Sequence, residues 1–232
     1  MQPDTITPGG PQGLNRYSYV ANNPINFNDP TGHIACDDTD ENGKCINYEQ
    51  MNKRLQNNLK RFVEPKRVKK EDMVTSYYGA ELSPEEVAVL NKHFGWGPEP
   101  LLMYNWTNLA IEKANARYPD LDGDGLLVND PGDAFRHAFW SALMTRTYGE
   151  DFAREFTSAH ETSASVASDA REQSFMDLHN NEVGIQIAVS NPDASKEELD
   201  TLVYEALTTG QLYVWDGNDI YYSNTCPYCV YP

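Results

Sequence analysis

The chain has 232 residues, of which 40% are hydrophobic, so it is long enough to bury a core of ordinary size. Its formal net charge of -17 argues against a surface built for nucleic acid, where clustered Lys and Arg supply most of the non-specific affinity. No apolar run approaches the roughly 18 residues that span a bilayer, and the opening MQPDTITPGG lacks the basic-then-apolar order of a signal peptide, so we expect any export to be directed from outside this chain.

The first 35 residues are rich in Gly, Pro and Asn, which indicates extended and turn structure without a helix. Their segment NRYSYVANNPINFNDPTGH resembles the end of the core repeat region of RHS (YD-repeat) proteins. In that family the core forms a hollow β-shell, and a variable C-terminal toxin follows the Asp-Pro-x-Gly element. The resemblance implies an RHS core remnant over residues 1–35 and a toxin domain over residues 36–232. It also implies the RHS shell and a cognate immunity protein as partners, and secretion or delivery into a competitor cell.

Two features of composition leave alternatives open. The cysteines form two local pairs, Cys36 with Cys45 and Cys226 with Cys229, for which disulfides, free thiols and a terminal metal clip are all possible. Eight of the 18 basic residues fall within residues 53–70. A solvated helix face is the simpler interpretation of that segment, and a contact for an anionic membrane or an acidic partner is the alternative.

Helical periodicity dominates the toxin domain, and each predicted helix has a recognisable start or end. Ser83 and Ser195 have the positions of N-caps, Pro65 ends the first helix, and Gly149 separates two later ones. The last segment no longer has helical periodicity. Its QLYVW and IYYS resemble two strands, and they flank the turn DGND as in a β-hairpin. We therefore predict a mainly α, helical bundle-like domain with a short C-terminal β-hairpin and an extended N-terminal remnant. The predicted helices cover approximately residues 46–62, 84–94, 102–118, 133–147, 150–170, 173–189 and 196–207.

Three of these helices carry polar residues at helical spacing. In GDAFRHAFW, Asp133, Arg136 and His137 lie on one side of an otherwise apolar helix. In MDLHNNEVG the same spacing aligns Asp177, Asn180, Asn181 and Gly184, and His160-Glu161 lies between the two. Antiparallel packing with short loops would bring these groups together. These sequences also resemble a recurring C-terminal module of bacterial polymorphic toxins.

A cluster of this composition has the groups that hydrolysis requires. A histidine beside a carboxylate can activate water, an arginine can hold a phosphate or an oxyanion, and the remaining groups can bind a metal. Helix capping, a salt bridge and amide cross-links would explain the same residues as structure. The predicted catalytic residues are His137, Arg136, Asp133, His160, Glu161, Asp177, Asn180 and Asn181, whereas His179 and His93 are expected to be surface or packing residues.

The segment before the first of these helices resembles a calcium-binding loop. Asp120, Asp122 and Asp124 have the spacing of positions 1, 3 and 5 of such a loop, and a glycine follows at position 6. Position 12 is a proline rather than a bidentate Glu, so Asp130 or Asp133 would have to substitute. The alternative is a solvated Asp-Gly turn. A divalent metal, with calcium as the candidate, is thus the predicted cofactor.

The function predicted from these features is that of an RHS-family antibacterial effector toxin. Its expected activity is metal-assisted hydrolysis of a phosphate-containing envelope substrate, either a phospholipid or a lipid-linked cell-wall precursor, acting in the periplasm or envelope. The first alternative is a metal-dependent toxin nuclease, which the acidic charge disfavours. The second is a non-enzymatic toxin that binds a partner or disrupts membranes, in which the polar stripes would be structural.

Overall fold

The computed structural model describes residues 48–66, 68–77, 80–95, 100–118, 130–162, 171–215 and 219–225. The chain divides into two compact units, Met1–Asn58 and Leu59–Pro232. Within the first unit, the described residues are those of helix α1 (Tyr48–Arg61) up to Asn58, and Lys53 and Arg54 are exposed on it. The predicted RHS remnant and all four cysteines lie outside the described residues.

The second unit is mainly helical. Its helices are α2 (Pro84–Phe94), α3 (Pro100–Arg117), α4 (Pro131–Tyr148), α5 (Glu150–His160), α6 (Arg171–Ser190) and α7 (Lys196–Thr208). Near the C-terminus, β3 (Tyr213–Trp215) pairs antiparallel with β4 (Ile220–Tyr222). This content confirms the predicted fold class for the part of the chain that the structure describes. None of the helices in that part is both long and apolar enough to cross a membrane.

Helix α4 is the centre of the core and packs against α3, α5, α6 and α7. Nearly all of its residues are buried, among them the fully enclosed Phe135, Phe139 and Ala142. A helix that is enclosed on every side cannot leave a polar side chain in water, so its polar residues must find partners within the protein. The polar stripe of α4, formed by Asp133, Arg136 and His137, therefore packs against other parts of the protein.

Helices α4 and α6 approach each other closely, and Gly184 permits this approach. A Cβ atom at this position would lie 1.9 Å from the carbonyl oxygen of Ala138. Only glycine leaves space for the α4 backbone there. Because Gly184 lies two turns beyond Asp177 on the same helix, this contact also holds Asp177 close to α4.

Helix ends follow the local sequence with one exception. Both predicted N-caps form complete capping boxes, Ser83 with Glu86 and Ser195 with Glu198. Helix α5 ends at His160, ten residues before its predicted end, because the backbone N–H and the hydroxyl of Thr162 both bond back to the carbonyl of Ala159 and close a turn.

A second hairpin was not predicted. Strand β1 (Val74–Tyr77) pairs antiparallel with β2 (Ala80–Leu82), and the register is irregular between Thr75 and Tyr77. Four- and three-residue strands are too short to show the alternation by which a strand is recognised in a sequence.

Candidate functional site

The site begins at the first turn of α4. Asp130 is the N-cap, and one of its carboxylate oxygens accepts a hydrogen bond of 2.8 Å from the backbone N–H of Asp133. Burial raises the pKa of Asp130, against the lowering effect of that hydrogen bond. Asp130 was predicted as a metal ligand of the calcium-like loop. The structure gives it a capping role, while Asp120, Asp122 and Asp124 lie outside the described residues.

One turn further along α4, three side chains interact directly. The Arg136 guanidinium donates hydrogen bonds to Oδ1 of Asp133 and, over 3.2 Å, to Nε2 of His137. Asp133 and His137 are buried, whereas about a third of the Arg136 side chain is exposed. Arg136 is thus the most exposed of the three side chains.

Helix α6 adds a second carboxylate to this group. Nε2 of His137 lies 3.5 Å from Oδ1 of Asp133 and 3.5 Å from Oδ1 of Asp177. One ligand atom from each of these three residues lies within 4.8 Å of the other two. All three residues are buried. The structure therefore brings together the stripes of α4 and α6, as the sequence predicted.

The imidazole of His137 is neutral in this environment. Burial, followed by the positive charge of Arg136, lowers its pKa to about 3, and the charge of Asp133 opposes this only in part. Because a guanidinium can only donate, Nε2 accepts from Arg136 and the ring proton belongs on Nδ1. Nε2 also lies near the two carboxylate oxygens, and a positive ion bound between them would take the place of the Arg136 bond at that nitrogen.

Asp133, His137 and Asp177, called the triad below, could hold a metal ion. One imidazole nitrogen and two carboxylate oxygens form a donor set that suits zinc and other first-row transition metals. Ligand atoms about 2.1 Å from a tetrahedral zinc lie about 3.4 Å from one another. The two observed separations of 3.5 Å from Nε2 are close to that value.

The two asparagines of α6 differ in role. Asn180 accepts from the backbone N–H of Tyr213 over 2.8 Å and donates to its carbonyl over 3.0 Å, so both ends of its amide hold β3 against α6. Asn181 accepts from the hydroxyl of Ser141 over 2.7 Å. It also lies close enough to His137 to raise the pKa of that imidazole, although Nδ1 of His137 makes no hydrogen bond of good geometry with a described residue.

His160 and Glu161 lie at the end of α5. The His160 ring meets Trp140, one turn beyond His137 on α4, edge-on with 5.4 Å between ring centres. Its Nδ1 lies 2.8 Å from Oε1 of Glu86. Glu161 is fully buried, and its charge contributes to raising the pKa of His160. Sequence reasoning missed Glu86, because its position three residues after Ser83 already explains it as a capping residue.

The other described histidines make packing contacts. His179 is stacked on Tyr213 with 3.5 Å between ring centres, and its Nε2 bonds the carbonyl of Gln211 over 2.8 Å. Burial lowers the pKa of His179 to about 4. His93 lies 3.2 Å from a carboxylate oxygen of Glu155. Both therefore have the packing role that the sequence indicated.

Comparison with known proteins adds a family without a stated activity. Residues 99–211, just under half of the chain, are similar to a family described as a domain of unknown function (DUF6973). No solved structure matches the chain. The similar range extends from α3 to α7 and contains Asp133, His137 and Asp177, together with His160.

Proposed function

We propose that this protein is an RHS-family effector toxin whose helical unit uses a divalent metal, held by Asp133, His137 and Asp177, to hydrolyse a phosphate-containing envelope substrate. The observation that carries the proposal is the convergence of a neutral imidazole nitrogen and two buried carboxylates beside an arginine. A metal in this position would lower the pKa of a bound water and so supply a nucleophile at neutral pH.

Arg136 supports an anionic substrate. Its side chain is about a third exposed while Asp133 and His137, to which it bonds, are buried, so an anionic substrate would reach Arg136 most easily among these residues. A guanidinium binds phosphate oxygens through two parallel hydrogen bonds. Arg136 would exchange part of its bonding to Asp133 for the substrate when a metal neutralises that carboxylate.

The metal proposed for the triad differs from the calcium considered from the sequence. Calcium takes six to eight oxygen ligands, whereas the triad offers a nitrogen among its three donors. Zinc or manganese fits this set better. Calcium at Asp120, Asp122 and Asp124 remains a separate proposal for the loop before α4.

An envelope substrate is favoured by charge. The net charge of -17 opposes approach to nucleic acid, whereas the second unit has the exposed basic residues Lys60 and Arg61 at the end of α1, which could meet an anionic membrane. The same metal chemistry could cleave a nucleic-acid phosphodiester, so the cellular target has to be tested directly.

Metal binding is tested by titrating the purified protein with Zn²⁺, Mn²⁺ and Ca²⁺ in a calorimeter. Asp177→Asn keeps the shape of the side chain and removes one ligand charge, so we expect metal affinity to fall by about tenfold or more. Glu182→Gln makes the same chemical change on α6 at a residue that pairs with Arg154 outside the site, and it should bind as the wild type does. Equal affinities for the two variants would refute the triad.

Function is tested by producing residues 36–232 in the cytoplasm or in the periplasm of a bacterium, as wild type and as His137→Ala. Killing only from the periplasm, lost in His137→Ala, is the expected result. Hydrolysis of phosphatidylglycerol vesicles by the purified protein would then identify the lipid as a substrate. Killing only from the cytoplasm with loss of RNA or DNA would establish the nuclease instead, and toxicity unchanged in His137→Ala would favour a non-enzymatic toxin.

A further inference from the structure

Glu86 and His160 form a second polar pair beside the triad. Glu86 is buried, with only 1% of its surface exposed, and it uses its two oxygens separately. Oε2 accepts from the backbone N–H of Ser83 over 2.6 Å, and Oε1 lies 2.8 Å from Nδ1 of His160. The first bond completes the α2 capping box, which needs no histidine. The second bond therefore requires an explanation of its own.

The bond to Glu86 determines which nitrogen of the neutral His160 ring carries the proton. A carboxylate can only accept, so Nδ1 of His160 donates to Glu86 and the lone pair of the neutral ring lies on Nε2. Within the described ranges no group bonds to that Nε2, and 29% of the His160 side chain is exposed. The ring thus has a second nitrogen that bonds to none of the described residues, in a side chain that solvent reaches in part.

His160 is also adjacent to the triad. It packs against Trp140, which follows His137 by three residues on α4. The charge of Arg136 acts on the pKa of His160 and lowers it, as expected for side chains that lie within electrostatic reach of each other. Burial is the largest single effect on the pKa of His160, and it lowers that pKa. The hydrogen bond and the charge of Glu86 act in the opposite direction, and the pKa is raised overall.

We infer that His160 is the catalytic general base and acid of the hydrolysis proposed above, and that Glu86 is the residue that positions it. This inference rests on the proposed function and assigns the proton transfers to α5 rather than to His137. His137 is then free to serve as a ligand through Nε2. The two histidines need different roles, because a metal bound to Nε2 of His137 would leave that atom unable to accept a proton.

In the proposed step, the oxygen of a water molecule forms a bond to the phosphorus of the ester. The proton lost by that water moves to Nε2 of His160. The bond from phosphorus to the leaving oxygen breaks with its electron pair on that oxygen, which takes the proton back from Nε2. The ring therefore ends as it began, neutral with its Nδ1 proton directed to Glu86, and the products are an alcohol and a phosphate.

Glu86→Gln separates the two roles of Glu86. Glutamine can still accept from the backbone N–H of Ser83 and so keep the capping box. Its amide N–H₂ would then face Nδ1 of His160, which would have to accept, and the ring proton would move to Nε2. Glu198→Gln is the matched control, because it makes the same change in the α7 capping box with Ser195, where no described histidine bonds to the carboxylate.

The experiment compares wild type, Glu86→Gln and Glu198→Gln in the full chain. Turnover of bis(p-nitrophenyl) phosphate is measured with saturating Zn²⁺ or Mn²⁺, and the histidine ring nitrogens are observed by ¹⁵N NMR. We expect kcat to fall by about tenfold or more in Glu86→Gln with KM changed by less than about threefold, because general acid–base catalysis acts in the transition state. His160 should carry its proton on Nδ1 in the wild type and on Nε2 in Glu86→Gln.

Two results would overturn the inference. One is turnover in Glu86→Gln equal to that in Glu198→Gln, and the other is a wild-type His160 whose proton lies on Nε2. A wild type with the expected Nδ1 proton but without metal-dependent cleavage of any phosphate ester would instead refute the proposed function, and the proton-transfer role would fall with it. The NMR readout on the wild type does not depend on whether Glu86→Gln folds.

Discussion

Gly184→Ala tests the contact on which the site depends. The added Cβ would lie 1.9 Å from the carbonyl oxygen of Ala138 and 2.7 and 2.8 Å from its carbonyl carbon and Cα, whereas real Cβ atoms essentially never approach within 3.0 Å. All three atoms belong to the α4 backbone, so no side chain can move aside to make room. The two helices must separate locally by about 1 Å, a displacement typical of overpacked cores.

The expected cost follows from two opposing effects. Overpacking destabilises by about 1 to 3 kcal/mol, and displacement of a helix backbone places this case at the upper end. The better helix propensity of alanine returns about 1 kcal/mol. We therefore expect the free energy of unfolding to fall by about 2 kcal/mol, which lowers Tm by about 4 to 8 °C in a domain of this size.

The same separation should weaken metal binding, because Asp177 would move away from His137. Calorimetry should show a loss of affinity of about tenfold, since ligand geometry is defined to a few tenths of an ångström. Gln186→Ala, an exposed change on the same helix, should alter stability by less than about 0.5 kcal/mol. A Gly184→Ala protein as stable as Gln186→Ala, with wild-type metal affinity, would refute the close packing of α4 against α6.

Three further predictions address neighbouring residues. The pKa of His179 is lowered to about 4 in the folded protein, so the unfolded state binds the proton first as pH falls. The protein should therefore lose up to about 3 kcal/mol of stability between about pH 6.5 and pH 4. Urea titrations of His179→Gln should show a weaker dependence of stability on pH. Asn180→Ala should cost about 2 kcal/mol by removing both hydrogen bonds between its amide and the backbone of Tyr213, with metal affinity unchanged in calorimetry. Arg136→Lys should raise KM for bis(p-nitrophenyl) phosphate by about tenfold because the two-point contact is lost, and an unchanged KM would remove Arg136 from substrate binding.

Much of the fold could be predicted because its signals are local. The capping boxes at Ser83 and Ser195 and the change of period before Tyr213 depend on residues within a few positions of one another. The early end of α5 depends on a bond from Thr162 that competes with continued helix, and the pattern of apolar residues does not report it. The strands of the first hairpin are too short for any periodic signal.

The placement of the candidate-site residues was predictable where one helix determines it. Helical spacing places Asp133, Arg136 and His137 side by side, and the α6 stripe placed Asp177 correctly relative to Asn181. The same spacing cannot distinguish Asn180, which holds a β-strand, from Asn181, which faces Ser141 and His137. That difference is decided by which neighbour each side chain meets, and so by tertiary packing alone.

The charges of the candidate site would link the binding of the proposed metal to the binding of the proposed substrate. The two carboxylates, the guanidinium and the neutral imidazole together carry a formal charge of -1. A divalent metal reverses that charge to +1, and a phosphodiester anion then returns it to zero. Each ligand should therefore strengthen binding of the other, since coupling between sites is reciprocal. Titration of the protein with Zn²⁺ in the presence and absence of diethyl phosphate should show tighter metal binding with the anion present, and Arg136→Gln should reduce that difference. Metal affinity that is independent of the anion would mean that the two do not share this site.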